Sequence, residues 1–286
     1  MSLTGQLLQF ASARVTTPQG AVQYRRAGTP GYTGGVTHVL LHGIGSASGN
    51  WLEQLLAAGA ANARASDILA WDAPGYGASD PLPLENPCAA DYASRMWAWI
   101  DALHVDPSHP LTLVGHSLGA LMAAAATLQA PKRVQRLVLL APARGYGNAE
   151  PQIRQQKLSD RLANLAQLGP AGMARKRAAA MLSAQASSDQ VALVEQMMAG
   201  IDPLGYTQAA HMLSNADLAT DLARVACPVT IASGSADTVT PAEGCAALAR
   251  QIGMPYVSLG DVGHSCALEA AGAVNSLLGL GPEQNG

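Results

Sequence analysis

Charged residues are scarce in this chain. Asp, Glu, Lys and Arg together make up 13% of its 286 residues, and the formal net charge is only −3. No basic stripe argues for a nucleic-acid partner, and no block of like charge predicts a solvated tail. Hydrophobic residues make up 49% of the chain, which excludes a disordered protein. Because Phe10 is the single phenylalanine, we expect a core of mostly aliphatic side chains and alanine.

Paired cysteines and long apolar runs are also missing. The four cysteines, Cys88, Cys227, Cys245 and Cys266, include no C-x-x-C pair. They therefore predict neither a metal site nor a disulfide framework, and we interpret them as small buried thiols. The first residues lack the basic and apolar segments of a signal peptide, and no uninterrupted apolar stretch reaches the ~18 residues of a membrane span. We expect a soluble cytoplasmic protein with no membrane partner.

Short apolar runs alternate with runs of helix-forming residues along most of the chain. The predicted strands are residues 7–15, 22–27, 38–41, 67–71, 111–114, 134–140, 229–233 and 256–259. The predicted helices are residues 51–60, 91–103, 118–129, 242–251 and 266–278. This alternation, with strands that are apolar throughout, predicts an α/β fold with a parallel sheet covered by helices on both faces.

The alternation stops between residues 144 and 215. No strand is predicted there, and Ala, Gln, Arg, Leu and Met, all helix formers, are abundant. Turn signals at Gly169-Pro170 and Asp202-Pro203 divide this block into several helices. We expect residues 1–143 and 216–286 to form the core and residues 144–215 to form a helical lid over the strand ends. Ordinary surface helices are the alternative.

Residues 115–119 read Gly-His-Ser-Leu-Gly, which has the form G-x-S-x-G. The pattern is common by chance, but here an apolar strand precedes it and a helix-forming run follows it. That setting is typical of a nucleophile elbow, in which the serine is held on a strained turn. Gly115 and Gly119 would supply the space that such a turn needs. We therefore predict that Ser117 is a nucleophile.

An acid and a base follow two later strands. Asp237 lies in the loop after residues 229–233, and His264 lies in the loop after residues 256–259. Since ligands bind at the carboxyl ends of parallel strands, both side chains should reach the edge where Ser117 lies. A serine needs an imidazole to take its proton, and a carboxylate orients that imidazole. The alternatives are a helix-capping role for Asp237 and competing acids at Asp261, Asp217 and Asp221.

The loop after residues 38–41 predicts an oxyanion hole. The backbone N–H of Ile44 is the expected first donor, and the N–H of Leu118 at the head of the elbow helix is the second. We interpret His42 as a structural residue that holds this loop. Ser46 and Trp51 are candidate substrate contacts nearby.

The predicted lid offers fewer signals. Arg144 directly follows a strand and could bind a substrate carboxylate, although a solvated arginine is the alternative. His211 is a similar candidate for substrate contact. Five methionines suggest an adaptable apolar lining, with plain core packing as the alternative: Met173, Met181, Met197, Met198 and Met212.

The chain resembles the α/β-hydrolase superfamily. The motifs that carry the resemblance are His42-Gly43, Asp72-x-x-Gly75-x-Gly77-x-Ser79, Gly115-x-Ser117-x-Gly119, Gly234-x-x-Asp237 and Gly263-His264. The resemblance implies an eight-stranded, mostly parallel sheet with an antiparallel second strand and a helical cap after strand six. It also implies a catalytic triad of Ser117, Asp237 and His264, with no cofactor.

Within that superfamily the chain looks most like capped esterases, enol-lactonases and C–C-bond hydrolases. It departs from the C–C hydrolases because residues 42–45 are not their glycine-rich oxyanion loop and because His116 replaces their usual asparagine. A serine nucleophile argues against epoxide hydrolases and dehalogenases, which need a carboxylate. The hypothesis is a serine hydrolase acting on a small-molecule ester or lactone. The alternatives are C–C-bond or enol-lactone hydrolysis with the same residues, and a non-catalytic ligand-binding protein.

Overall fold

One eight-stranded sheet runs through the protein, seen in a computed structural model that describes residues 1–282. The strands are β1 (Ala13–Thr17), β2 (Gly20–Gly28), β3 (His38–Leu41), β4 (Asp67–Trp71), β5 (Leu111–His116), β6 (Val134–Leu140), β7 (Val229–Ser233) and β8 (Tyr256–Ser258). Their order in the sheet is β1-β2-β4-β3-β5-β6-β7-β8. Strand β2 is antiparallel to both neighbours, and β3 to β8 pair in parallel. The predicted α/β-hydrolase sheet is confirmed.

Helices cover both faces of this sheet. They are α1 (Leu3–Leu7), α2 (Leu52–Gly59), α3 (Ala89–Ala102), α4 (Gly119–Gln129), α5 (Pro151–Arg177), α6 (Ser188–Ala199), α7 (Pro203–Asn215), α8 (Leu218–Leu222), α9 (Ala242–Gln251), α10 (Cys266–Glu269) and α11 (Ala271–Leu278). Within residues 1–282, none of them combines the length and apolarity needed to cross a membrane.

The core is split into two apolar layers because side chains of a strand alternate between faces. In β3, Val39 and Leu41 pack with the cluster that includes α3 and α4. Leu40, between them, packs with the cluster that includes α2 and α11. Strands β3 to β5 and β7 are buried along their whole length, as expected for parallel strands covered on both sides. The sheet is therefore a rigid base for the loops at its carboxyl edge.

The block between β6 and β7 is helical throughout its regular structure, as predicted. It holds α5, α6, α7 and the short α8. Helix α5 is kinked at Gly169, whose φ of 59° is left-handed, and Pro170 follows directly. A glycine is suited to this position because it adopts positive φ at little steric cost. That these helices act as a lid remains a prediction.

Several sequence predictions were wrong in detail. The predicted strand at residues 7–15 begins only at Ala13, since Ser2 caps a short helix, α1, whose Leu7 is buried in the core. The predicted helix at residues 266–278 is interrupted at Ala270, between α10 and α11. Of the four cysteines, Cys88 is exposed and Cys227 half-buried, so only the other two are buried thiols.

A buried histidine joins the central sheet to the last helix. His38 of β3 donates from Nε2 to the carbonyl oxygen of Leu278, the last residue of α11, over 3.0 Å. Burial lowers the pKa of His38 from 6.5 to about 4. The folded protein therefore resists protonation of this ring, whereas the unfolded chain accepts a proton below pH 6.5.

This histidine is expected to make the fold sensitive to mild acid. Because the folded pKa is the lower one, its contribution is present above pH 6.5 and is lost as the pH falls towards 4. A shift of this size corresponds to roughly 3 kcal/mol. We predict that the loss of unfolding free energy between pH 7 and pH 4.5, measured by urea denaturation, is smaller in His38→Gln. Replacement of the exposed His109 is the control, and equal pH slopes in wild type and His38→Gln would contradict the prediction.

Candidate active site

Ser117 lies on a strained turn between β5 and α4. Its φ is 51°, a left-handed value that is uncommon for a residue with a side chain. The turn is held by a hydrogen bond from the Ser117 N–H to the carbonyl oxygen of Leu140, over 3.0 Å. Added Cβ atoms at Gly115 and Gly119 would collide with backbone atoms, of Ala120 and Leu41 among others. The strand, turn and helix thus have the geometry of a nucleophile elbow.

Asp237 and His264 form a buried hydrogen-bonded pair. The two residues follow β7 and β8, and His264 Nδ1 donates to Asp237 Oδ2 over 2.9 Å. The carboxylate is fully buried and the ring nearly so. Asp261, a competing acid in the sequence, instead accepts from the exposed Ser235 hydroxyl. Because Nδ1 carries the proton, Nε2 of His264 is left as a basic nitrogen.

Ser117 and His264 line the same cavity, together with Ile44 and Leu118. Among residues 1–282, no hydrogen bond joins the Ser117 hydroxyl to the His264 ring. Such bonds often tighten only when substrate is bound. The loop after β3 approaches the serine closely, since a Cβ added at Gly43 would lie 2.9 Å from Ser117 Cβ. The structure therefore brings the three residues of the predicted triad to one edge of the sheet.

Thr240 supports the acid–base pair, although no motif in the sequence singles it out. Its hydroxyl oxygen lies 2.8 Å from Asp237 Oδ2, 3.2 Å from His264 Nδ1 and 3.0 Å from the carbonyl oxygen of Ala141. Its backbone N–H donates to Asp237 Oδ1 over 3.0 Å, and the N–H of Val239 donates to the same atom. Burial acts to raise the pKa of Asp237, but the hydrogen bonds from His264 and Thr240 outweigh it and lower that pKa. The carboxylate is thus kept charged and fixed in direction.

Loss of the Thr240 hydroxyl is expected to slow turnover without weakening substrate binding. One hydrogen bond to a charged group contributes about 1.5 kcal/mol or more, which corresponds to roughly tenfold in kcat. We predict such a fall for Thr240→Val, with KM little changed and with activity largely retained in Thr240→Ser. Steady-state kinetics on a p-nitrophenyl ester measure this, and equal kcat values for the two variants would show that the hydroxyl has no positioning role.

The predicted oxyanion donors, the N–H groups of Ile44 and Leu118, are both free. Neither donates a hydrogen bond to another of the described residues, 1–282, and both residues lie on the cavity wall. The loop that carries Ile44 is held from below by His42, which donates from Nδ1 to the Gly43 carbonyl oxygen and accepts at Nε2 from the Ala73 N–H. These two contacts agree with the structural role predicted for His42 from the sequence. Two N–H groups without a partner among the described residues thus lie on the wall of the cavity that Ser117 lines, as an oxyanion hole would require.

His116, next to the serine, is buried and neutral. Its Nε2 donates to the carbonyl oxygen of His264 over 2.8 Å, which ties the elbow to the histidine loop. Burial, together with the neighbouring His264 ring, lowers the pKa of His116 to about 3. A neutral ring adds no charge beside the catalytic base candidate, so His116 can support the loop without competing for its proton.

The cavity above Ser117 has a volume of about 510 Å³. Four of the five methionines highlighted in the sequence line it, Met173, Met181, Met197 and Met198. Met212 is instead buried in the apolar cluster that also includes residues of α3 and α4. Helices α5 and α6 therefore supply a flexible apolar wall.

The predicted substrate contacts divide into two groups. Ser46 and Arg144 lie on the cavity wall, whereas Trp51 and His211 do not. Trp51 is fully buried in the core, with its ring edge-on to His116. His211 and Tyr206 lie on different faces of α7, and of these two residues Tyr206 lines the cavity. Within residues 1–282, no group of three or more His, Cys, Asp or Glu side chains is arranged to hold a metal ion.

Most of the chain matches one known protein family. Residues 39–271 match the family described as the alpha/beta hydrolase fold. The candidate carbamate hydrolase RutD of Klebsiella pneumoniae (strain 342) is 30% identical over 256 residues, which cover 84% of this chain and 88% of that protein. The 2-hydroxy-6-oxononadienedioate/2-hydroxy-6-oxononatrienedioate hydrolase 2 of Pseudomonas putida is 34% identical over 124 residues, covering 41% of this chain and 40% of that enzyme.

Many of the other matches are partial. The chain covers between 27% and 50% of the length of several further curated relatives. Among solved structures, the enol-lactonase from Burkholderia xenovorans LB400 superposes with a TM-score of 0.79 at 20% identity, covering 93% of this chain and 98% of that one. This last similarity shows a shared fold.

Proposed function

The chain belongs to the alpha/beta hydrolase fold family, and from that premise we propose that it is a hydrolase that cleaves a carboxylic ester or lactone through an acyl-enzyme. The observation that carries the proposal is the strained elbow of Ser117 on the same cavity wall as His264, whose ring is hydrogen-bonded to the buried Asp237. Holding Ser117 at a left-handed φ has an energetic cost, and residues strained in this way are concentrated at functional sites.

The proposed reaction has two halves. Ser117 Oγ attacks the acyl carbon while Nε2 of His264 takes its proton, and Asp237 stabilises the resulting imidazolium. The N–H groups of Ile44 and Leu118 bind the tetrahedral oxyanion, a contribution of roughly a hundred- to a thousandfold for each donor. His264 then protonates the leaving alcohol, and water releases the acid from Ser117 by the same steps in reverse order.

A chain-length series of p-nitrophenyl esters tests the proposal. We expect a burst of about one p-nitrophenol per chain when acylation is faster than deacylation, and inactivation by a fluorophosphonate. An absence of turnover across the series, together with an absence of labelling, would contradict the proposal and favour the non-catalytic ligand-binding alternative.

Hydrolysis of a C–C bond is the second candidate, supported by the partial match to the Pseudomonas putida hydrolase. It would use the same three side chains on a dienoate substrate. Product analysis separates the candidates: a C–C hydrolase converts a 2-hydroxy-6-oxo-dienoate into two carbon fragments, whereas an esterase leaves that substrate intact and cleaves simple esters. The departures in the oxyanion loop and at His116 place this candidate second.

A further inference from the structure

Three arginines line the cavity above Ser117. Arg144 follows β6, and Arg161 and Arg177 lie on α5 on opposite sides of the kink at Gly169. None of the three forms an ion pair with another residue in the described range 1–282. Arg144 makes one long contact, 3.4 Å from Nη2 to Gln251 Oε1. The cavity wall thus contains three arginines that form no ion pair with a described residue.

The acidic residue on this wall is already engaged. Asp217 caps α8, where its carboxylate accepts from the Ala219 N–H. It also accepts from the side chains of Asn148 and Thr220. Since its oxygens are held by these neutral donors, Asp217 reduces the positive charge of the cavity but does not bind an arginine.

Arg144 and part of the apolar wall lie on different sides of the nucleophile. The sheet order places the end of β3 on one side of β5 and the end of β6 on the other. Met197 contacts the loop after β3, with its Sδ 4.0 Å from Ser46 Oγ. Arg144 extends from the end of β6 towards α9, where Gln251 lies. A substrate across Ser117 would therefore meet apolar groups at the β3 side and the positive charge of Arg144 at the β6 side.

We propose that the substrate is an ester or lactone that carries a carboxylate, bound by Arg161 and Arg177 with Arg144 at the β6 side. This inference rests on the proposed function of the same site. A guanidinium group matches a carboxylate with two parallel hydrogen bonds, and such bonds are stronger in a partly closed cavity than in water. An uncharged ester would leave three arginines facing an apolar ligand, which costs part of their hydration.

Two esters of matched length test this substrate class. The mono-p-nitrophenyl ester of glutaric acid carries a carboxylate, and p-nitrophenyl valerate has the same acyl chain without it. We expect kcat/KM to be higher for the anionic ester, and the ratio of the two values to fall as salt is added. Arg161→Gln and Arg177→Gln should each lower that ratio roughly tenfold, as expected for the loss of one charge-assisted hydrogen bond.

Arg175→Gln is the matched control, because Arg175 is an exposed residue of the same helix that does not line the cavity. It should leave the ratio at the wild-type value. Equal kcat/KM values for the two esters, or a ratio that the cavity variants do not change, would overturn the inference while leaving the proposed function intact.

Binding measured without turnover distinguishes a failure of the anionic-substrate inference from a failure of the proposed function. Monomethyl glutarate and dimethyl glutarate are titrated into the Ser117→Ala protein by calorimetry, with and without the arginine changes. Preferential binding of the monoanion that is lost in Arg161→Gln and Arg177→Gln supports the inference even if no ester is cleaved. Equal or absent binding of both esters contradicts it, whereas failure of the proposed function alone would appear as missing turnover and missing fluorophosphonate labelling.

Discussion

Replacement of Ser117 by alanine is expected to lower kcat for p-nitrophenyl ester hydrolysis by roughly 10⁴- to 10⁶-fold. The change removes one oxygen atom and leaves the elbow, the oxyanion donors and the cavity in place. Without the hydroxyl no acyl-enzyme can form, so only substrate positioning and the oxyanion donors can still accelerate hydrolysis by water. KM should change little, because the substrate contacts remain.

The size of the loss distinguishes a nucleophile from a wall residue. Removal of one hydroxyl that only contacts substrate costs about tenfold to a hundredfold, far less than removal of the attacking group. Ser108→Ala is the control, since Ser108 is an exposed serine in the loop before β5. Steady-state kinetics and a far-ultraviolet circular dichroism spectrum of both variants suffice. A Ser117→Ala protein that is folded and retains more than about a hundredth of wild-type kcat would contradict the assignment.

Asp237→Asn is expected to lower kcat by about 10⁴-fold. In the wild type, Asp237 Oδ2 accepts the Nδ1 proton of His264, so Nε2 is free to act as the base. An asparagine amide can present its N–H₂ group to Nδ1, which would place the proton on Nε2 and remove the base. Asparagine also lacks the negative charge that stabilises the imidazolium.

Asp261→Asn is the matched control for this change, because Asp261 lies three residues before His264 but is exposed. It should retain nearly wild-type kcat. A large loss in Asp261→Asn with a small one in Asp237→Asn would reverse the assignment of the orienting acid. Raising the pH should partly restore the kcat of Asp237→Asn, because the step that this variant loses is the removal of the Ser117 proton.

Site residues that directly follow a strand could be predicted from the sequence. Ser117, Asp237 and His264 each follow an apolar strand, and parallel strands bring such loops to one edge of the sheet. The glycines on either side of Ser117 could be interpreted as part of a nucleophile elbow, because they permit its strained backbone. The same reasoning identified the Ile44 loop, because it follows β3, the strand beside β5.

Residues whose placement depends on helix rotation or on packing were not predictable. Trp51 was expected at the cavity and is instead buried beside His116, because the helical turn that carries it packs against the core. Arg161 and Arg177 look like ordinary helix-surface arginines in the sequence, but in the structure both line the cavity, one on each side of the kink at Gly169. Thr240 becomes significant only when its hydroxyl is seen beside the Asp237 carboxylate.

Peptide mapping after fluorophosphonate treatment shows whether Ser117 is the nucleophile. The reagent forms a stable bond with an activated serine, so its position identifies the nucleophile by mass. Trypsin should release residues 96–132 as one peptide, which contains two serines, Ser108 and Ser117. We predict one adduct per chain on this peptide, assigned to Ser117 by fragmentation and absent after unfolding in urea before treatment. An adduct on another residue of the folded protein, with Ser117 unmodified, would contradict it.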